Sequence, residues 1–95
     1  MATFSLDYDG TYTRDKDLWN NFITLLKQKG HKVYVVTMRY DHPTEAYEVR
    51  QDLEGKVDGF FFTGRQAKKP FMKEQNIWVD IWIDDQPEFI LGNAF

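Results

Sequence analysis

Two aspartates near the start of the sequence, Asp7 and Asp9, have the spacing and the neighbours of a site that does chemistry. They follow a short apolar run, Phe4 to Leu6, which predicts a buried strand, and Gly10 after them permits a sharp turn. The carboxyl ends of parallel strands are where open α/β folds bind their ligands. Two close carboxylates without a basic partner repel each other, so they either share a proton or hold a cation.

Polar side chains that could complete such a site follow later in the chain. They are a threonine after a β-branched run, a pair of lysines, and a pair of aspartates after an apolar run: Thr37, Lys68, Lys69, Asp84 and Asp85. With the sequence FSLDYDGT at residues 4–11, these motifs resemble, in order, the four motifs of the haloacid dehalogenase-like superfamily. Most members of that superfamily are Mg-dependent phosphatases. The resemblance extends over most of the chain, from Phe4 to Pro87.

The resemblance implies a role for each residue in phosphate-ester hydrolysis. Asp7 would be the nucleophile that forms an aspartyl-phosphate, and Asp9 would protonate the leaving oxygen and afterwards activate water. Thr37 would hydrogen-bond the phosphoryl group, and one lysine would offset its negative charge. A Lys-x-Pro pattern selects Lys68 for that role, whereas a Lys-Pro pair would select Lys69.

The resemblance also implies a Mg²⁺ site built from four aspartates. Asp85 would bind the ion directly, with Asp84 as a supporting acid. Asp7 would contact the ion as well as attack phosphorus, and Asp9 would contribute its backbone carbonyl. Oxygen ligands of this kind suit Mg²⁺. A zinc site is disfavoured, because the chain has no cysteine and its two histidines lack ligand spacing.

Other residues near these motifs are candidate substrate contacts. Gly10 and Thr11 form the turn after the two acids, and Arg39 follows Thr37 closely enough to reach an anionic group. Lys69 is a further candidate beside the motif lysine. The expected ligand is a phosphorylated small molecule or a phosphate at the end of a polymer chain.

The elements that must position these residues alternate between strand and helix patterns, which predicts an α/β fold. Apolar runs predict strands at 4–6, 32–36, 59–62 and 78–83, and helical spacing predicts helices at about 18–29, 43–54 and 70–75. Successive strand–helix units imply right-handed crossovers and a mostly parallel sheet. The resemblance implies a Rossmann-like three-layer sandwich of about four strands in the order 3-2-1-4.

Two finer predictions concern burial. The first helix is expected to bury an apolar stripe along one side: Leu18, Trp19, Phe22, Ile23, Leu25 and Leu26. The fourth strand carries an ionisable residue, Asp80, in its middle. We therefore expect that strand at an edge of the sheet, where a charged side chain can reach water.

Size and composition limit the remaining choices. With 95 residues, 42% of them apolar, the chain is expected to form a single domain, 1–95, with one modest core. No apolar run approaches the length of a membrane span and the first residues do not resemble a signal peptide, so the cytoplasm is the expected location. The formal charge of −3 argues against broad nucleic-acid binding. The one dense basic cluster, Arg65, Lys68, Lys69 and Lys73, is a candidate to face a substrate phosphate.

The loops after the first and second strands are too short for an inserted cap module. An open site is therefore expected, which would admit a bulky phosphate ester or be closed by a second copy of the chain. Three alternatives stay open. They are a fold that only binds a phosphorylated ligand or partner, a phosphatase for nucleic-acid ends, and a response-regulator-like domain.

Overall fold

Four parallel strands form the centre of the computed structural model, which describes residues 1–95. The strands are β1 Thr3–Leu6, β2 Lys32–Thr37, β3 Gly59–Phe62 and β4 Ile81–Ile83. They lie in the order β3-β2-β1-β4, and every neighbouring pair is parallel. The predicted α/β fold, the strand order and the edge position of the fourth strand are confirmed.

Helices cover both faces of this sheet in a Rossmann-like three-layer arrangement. They are α1 Lys16–Gln28, α2 Pro43–Leu53, α3 Lys68–Glu74 and α4 Glu88–Leu91, with a 3₁₀ helix at Tyr12–Arg14. The larger core joins one face of the sheet to α1 and α2: Phe4, Leu6, Tyr8, Tyr12, Ile23, Leu26, Val33, Val35, Val49 and Leu53. A smaller core on the other face includes α3: Val36, Met72 and Val79.

The boundaries of α1 follow from local capping. The Asp15 side chain accepts a hydrogen bond from the Leu18 backbone N–H at 3.1 Å, which satisfies one of the unpaired donors of the first turn. Gly30 adopts a φ of +83° just beyond the last turn, a conformation that glycine enters without a steric penalty. Both ends of the helix are therefore specified by residues next to them, although the helix begins at Lys16, two residues before the predicted start near Leu18.

The buried face of α1 differs from the predicted stripe. Ile23 and Leu26 are buried, but Leu18 and Leu25 are 55% and 48% exposed. Successive helical residues are rotated by about 100° around the axis, and only a narrow sector can contact the sheet. Leu18 and Leu25, one position before Trp19 and Leu26, fall outside that sector, so including them in the buried stripe was wrong.

Two further boundaries differ from the sequence prediction. α3 begins at Lys68 rather than Pro70, because the first helical residues have no intrahelical N–H partner and proline is tolerated there. β4 begins at Ile81 rather than Trp78. The Asp80 carboxylate accepts from the Thr3 N–H at 2.8 Å, so a side chain takes the place of a ladder carbonyl.

The C-terminal helix α4, Glu88–Leu91, was not predicted. Its four residues are fewer than the run needed to show a helical repeat. The segment that follows α4 is attached to the loop before α3 through Asn93 and Ala94. The Ala67 N–H donates to Asn93 Oδ1 at 2.7 Å, and the Ala94 N–H donates to the Arg65 carbonyl at 2.8 Å. No helix in the chain has both the length and the apolar character that crossing a membrane requires.

Two neighbouring leucines of α1 provide a matched test of its buried face. We expect Leu26→Ala to lower the free energy of unfolding by about 2–4 kcal/mol, because it removes buried contacts and leaves a cavity. Leu25→Ala should change it by less than about 1 kcal/mol, because that side chain is largely in water. Urea unfolding of both variants measures the difference, and equal losses would contradict the assigned face.

Candidate functional site

The carboxyl ends of β1 and β4 bring two aspartates side by side. The Asp7 N–H donates to the Ile83 carbonyl at 3.0 Å, which extends the pairing of the two strands by one residue. Ser5 pairs with Trp82 in the strand register, and side chains two residues further along a strand point to the same face. Asp7 and Asp84 therefore both follow the face of the sheet that α3 covers.

Lys68 at the start of α3 lies between these two acids. Its ammonium donates to Asp7 Oδ1 at 2.8 Å and to Asp84 Oδ2 at 2.5 Å, and its side chain is only 2% exposed. Lys69 is elsewhere, with its ammonium 4.9 Å from the centre of the Trp78 ring. Of the two lysines that the sequence left open, the structure brings Lys68 to the acids and places Lys69 outside the site.

The turn after β1 holds a third carboxylate, that of Asp85. The Thr11 hydroxyl lies 3.1 Å from Asp7 Oδ2 and 3.3 Å from Asp85 Oδ1, so its single proton can be donated to either. The same hydroxyl accepts from the Asp85 N–H at 3.1 Å. Gly10, with a φ of +81°, passes so close to the Asp85 carboxylate that a Cβ atom there would overlap it.

The carboxylates of Asp7, Asp84 and Asp85 form a group that could hold a metal ion, because an oxygen from each lies within 4.8 Å of the others. Three carboxylates face one ammonium, that of Lys68, so negative charge remains uncompensated when all are ionised. Oxygen ligands of this type suit hard divalent cations. The donor set therefore fits the ion that the sequence motifs implied.

Asp9 is not part of this carboxylate group. Arg39 holds it with two parallel hydrogen bonds, from Nε and Nη2, each of 2.8 Å. Arg39 also donates to the Glu45 carbonyl at 2.8 Å and lies over the Tyr8 ring, 5.1 Å from its centre. The hydrogen bonds with Asp9 outweigh partial burial and raise the pKa of the Arg39 guanidinium. The fork–fork geometry makes this a strong, orienting pair.

A partly buried network behind Arg39 fixes the position of the Tyr8 ring. The Tyr8 hydroxyl donates to the Asp52 carboxylate at 2.5 Å, and Lys16 approaches the same carboxylate at 3.0 Å. Burial is the largest cause that raises the pKa of Tyr8, and the hydrogen bond with Asp52 raises it further. Burial would raise the pKa of Asp52, but the hydrogen bonds from Tyr8 and Lys16 outweigh it and the pKa is lowered. Tyr8 therefore stays a neutral donor under Arg39.

The protonation of Asp7 reflects the balance of burial and charge. Burial raises the pKa of Asp7 and the attraction of Lys68 opposes it, while Asp85 and Asp84 raise it further, to about 7 in total. One ammonium thus does not fully offset the desolvation of this carboxylate and the repulsion from its neighbours. Any cation that joined the three acids would lower this pKa.

These residues open into one cleft of about 250 Å³. Its lining contains most of the residues that the sequence singled out: Asp7, Asp9, Thr37, Arg39, Lys68, Asp84 and Asp85. The Thr37 hydroxyl is buried at the end of β2 and accepts from the Arg39 N–H at 3.3 Å. Gly10, Thr11 and Lys69 do not line the cleft.

Five further lining residues were not assigned to the site by sequence reasoning: Met38, Gln86, Phe89, Ala94 and Phe95. Four of them belong to the segment around α4, which carried no sequence signal. Arg65, which the sequence places in a basic cluster expected to face a substrate phosphate, lines the cleft as well.

No protein-family model, curated protein or solved structure matches this chain. The functional interpretation therefore depends on the motifs and on the geometry of the site.

Two glycines with the same backbone strain test the packing of the turn against Asp85. Gly30→Ala, where nothing lies within 4 Å of the added Cβ, should cost about 1 kcal/mol from its positive φ alone. Gly10→Ala should cost about 1–3 kcal/mol more, because the Cβ displaces the Asp85 carboxylate. A divalent cation bound by the three acids should raise the melting temperature of the native protein and of Gly30→Ala, but not that of Gly10→Ala. Indistinguishable behaviour of the two variants would contradict the contact.

The raised pKa of Asp7 predicts a pH dependence of the metal-free protein. Its ordinary value is 3.8, so between about pH 4 and 7 the native state retains a proton that the unfolded chain has lost. The resulting stabilisation is complete below about pH 4 and is lost as the pH rises through 7. Carbon-13 NMR of the Asp7 carboxyl should show a midpoint near 7 that falls when divalent cation is added. A metal-free midpoint near 4 would refute this.

Proposed function

We propose that this protein is a Mg²⁺-dependent phosphatase that hydrolyses phosphate monoesters through an aspartyl-phosphate on Asp7. The observation that carries the proposal is the position of Lys68, buried between Asp7 and Asp84 beside a third carboxylate. The haloacid dehalogenase-like motifs imply such an arrangement of a nucleophile, a lysine and paired acids. The carboxyl ends of β1 and β4 lie side by side in the sheet. This supports the proposal, because the pairing brings together acids from distant parts of the chain.

The three clustered aspartates would hold the Mg²⁺ ion. Each offers a hard oxygen ligand, and Asp85, the most exposed of them, has one carboxylate oxygen that accepts no hydrogen bond. When bound, the ion would offset the charge of the phosphoryl oxygens and that of the acids around them. Lys68 would also offset the charge of the phosphoryl oxygens while holding the Asp7 carboxylate in one orientation.

In the proposed reaction, an Asp7 oxygen forms a bond to phosphorus as the bond from phosphorus to the ester oxygen breaks. The leaving oxygen takes a proton and departs as an alcohol. Water then attacks phosphorus, releases inorganic phosphate and restores the Asp7 carboxylate. Thr37, buried at the end of β2 and lining the cleft, would hydrogen-bond a phosphoryl oxygen in both steps.

Asp9 would deliver the proton, but its carboxylate is engaged by Arg39. Both residues line the cleft. An incoming phosphoryl group would compete with Asp9 for the Arg39 guanidinium, since both are bidentate anions. Arg39 would then bind the substrate, and the freed Asp9 carboxyl would serve the leaving oxygen. The pair seen here would be the resting arrangement.

A second candidate function is binding of a phosphorylated ligand without turnover. The bidentate pairing of Asp9 with Arg39 favours it, because a proton donor held in this way is not aimed at a leaving group. The two remaining alternatives have less support. Lys69 lies over the Trp78 ring and does not line the cleft, which weakens the case for a basic surface that binds a nucleic-acid end. The order β3-β2-β1-β4 is not the flavodoxin-like order of response regulators.

The decisive measurement is hydrolysis of para-nitrophenyl phosphate with Mg²⁺. We expect turnover by the native protein and a loss on the order of a thousandfold or more in Asp7→Asn, which keeps the shape but removes the nucleophile. Asp17→Asn, the same change on the exposed first turn of α1, is the control and should retain the rate. Undiminished turnover in Asp7→Asn would refute the mechanism.

Beryllium fluoride separates hydrolysis from binding alone. It mimics a phosphoryl group on an aspartate, so with Mg²⁺ it should form a stable complex with the native protein and none with Asp7→Asn. Fluorine-19 NMR detects the bound species. A protein that binds phosphonates but forms no such complex and shows no turnover would be a binding domain.

A further inference from the structure

Arg65 is the cation of the cleft whose charge has no partner. Three basic residues line the cleft, Arg39, Lys68 and Arg65. Arg39 is paired with Asp9 and Glu48, and Lys68 with two aspartates, whereas Arg65 forms no salt bridge. The first two cations are engaged by the protein's own acids. Arg65 alone presents an uncompensated positive charge to a bound molecule.

The Arg65 guanidinium is nevertheless held in place. It donates to the Met38 carbonyl at 2.9 Å and lies over the Tyr40 ring, 5.4 Å from its centre. Gly64 lets that ring pack against the turn, because a Cβ there would approach the ring atoms to 2.9 Å. The neutral partners orient the side chain and leave its charge available.

The backbone of Arg65 is also strained. Its φ is +73°, a left-handed conformation that glycine or asparagine adopts more easily than arginine. Strain of this kind persists where the surrounding structure enforces it. Here the Arg65 N–H donates to the Met38 carbonyl at 3.0 Å, and its own carbonyl accepts from Ala94 at 2.8 Å. An arginine is thus kept at a position better suited to a smaller residue.

The lining of the cleft also contains apolar side chains. Phe89 of α4 lines it together with the acids, Lys68 and Arg65, so a bound molecule would have both charged and aromatic groups within reach. The volume of about 250 Å³ is just below the range of about 300–1,000 Å³ found for drug-sized ligands. The site would therefore accept a small ester or the head of a larger one.

We propose that Arg65 forms a second anion subsite, and that the preferred ligand is a phosphate monoester whose organic part carries another anionic group, a carboxylate or a second phosphate. The proposal rests on the proposed function for the place of the phosphoryl group, beside Asp7 and Lys68. Arg65 would bind the second anion, and Phe89, which lines the same cleft, would contact the organic part. Arg65 is then a specificity residue that does not touch the reacting atoms.

Binding of two phosphonates tests this without requiring turnover. Benzylphosphonate and 4-carboxybenzylphosphonate differ only in the second anion, and neither can be hydrolysed. With saturating Mg²⁺, calorimetry should show that the carboxylated compound binds about three- to tenfold more tightly to the native protein. In Arg65→Gln this ratio should fall to about one, and Arg65→Lys should keep part of it.

Lys29→Gln is the matched control, because it removes one positive charge just beyond the last residue of α1, among residues that do not line the cleft. It should leave the ratio unchanged. Unchanged melting temperatures would show that all the variants are folded. A native ratio near one, a preference that persists in Arg65→Gln, or no binding of either phosphonate at millimolar concentration would overturn the subsite.

Hydrolysis is measured in parallel so that the two proposals fail separately. An Arg65-dependent ratio in a protein that hydrolyses no aryl phosphate would support the subsite and overturn the phosphatase. Hydrolysis of phenyl phosphate and 4-carboxyphenyl phosphate with the same relative kcat/KM in the native protein and in Arg65→Gln would support the phosphatase and overturn the subsite.

Discussion

The site depends on one buried interaction, the ammonium of Lys68 between the carboxylates of Asp7 and Asp84. None of these charges would be stable alone in so little water, because desolvation of an ion costs several kcal/mol. Each is tolerated only because the others are present. The contacts of Lys68 with both acids therefore hold β1, α3 and β4 together at one point, although Lys68 is 61 residues from Asp7 in the chain.

The parallel sheet explains why the two acids lie close together. Its strands all end at the same edge, and the central position of β1 puts Asp7 next to the ends of both β2 and β4. The alternation of side chains then decides which partner is reached. Asp7 and Asp84 follow the face covered by α3, whose first turn carries Lys68, whereas Asp85, one residue later, turns to Thr11.

The charged groups of the cleft differ in how far neighbouring groups compensate their charge. Lys68 offsets part of the repulsion among three acids, and the pKa of Asp7, raised chiefly by burial to about 7, shows that this compensation is incomplete. Arg39 is balanced by Asp9 and held over the neutral Tyr8 ring. Arg65 remains unbalanced. The resting protein thus has an excess of negative charge among the three acids and an unpaired positive charge, that of Arg65, in the lining of the same cleft.

The sequence alone determined the class of the fold, the ends of the strands that carry acids, and the limits of α1, because hydrophobic period and capping are properties of neighbouring residues. Local patterns did not decide which side of α1 is buried, since Leu25 and Leu26 differ only in rotation about the helix axis. The choice of Lys68 over Lys69, the pairing of Asp9 with Arg39 and the approach of α4 were decided by the tertiary structure. Each depends on side-chain direction and on contacts between residues far apart in the chain, for which no local signal exists.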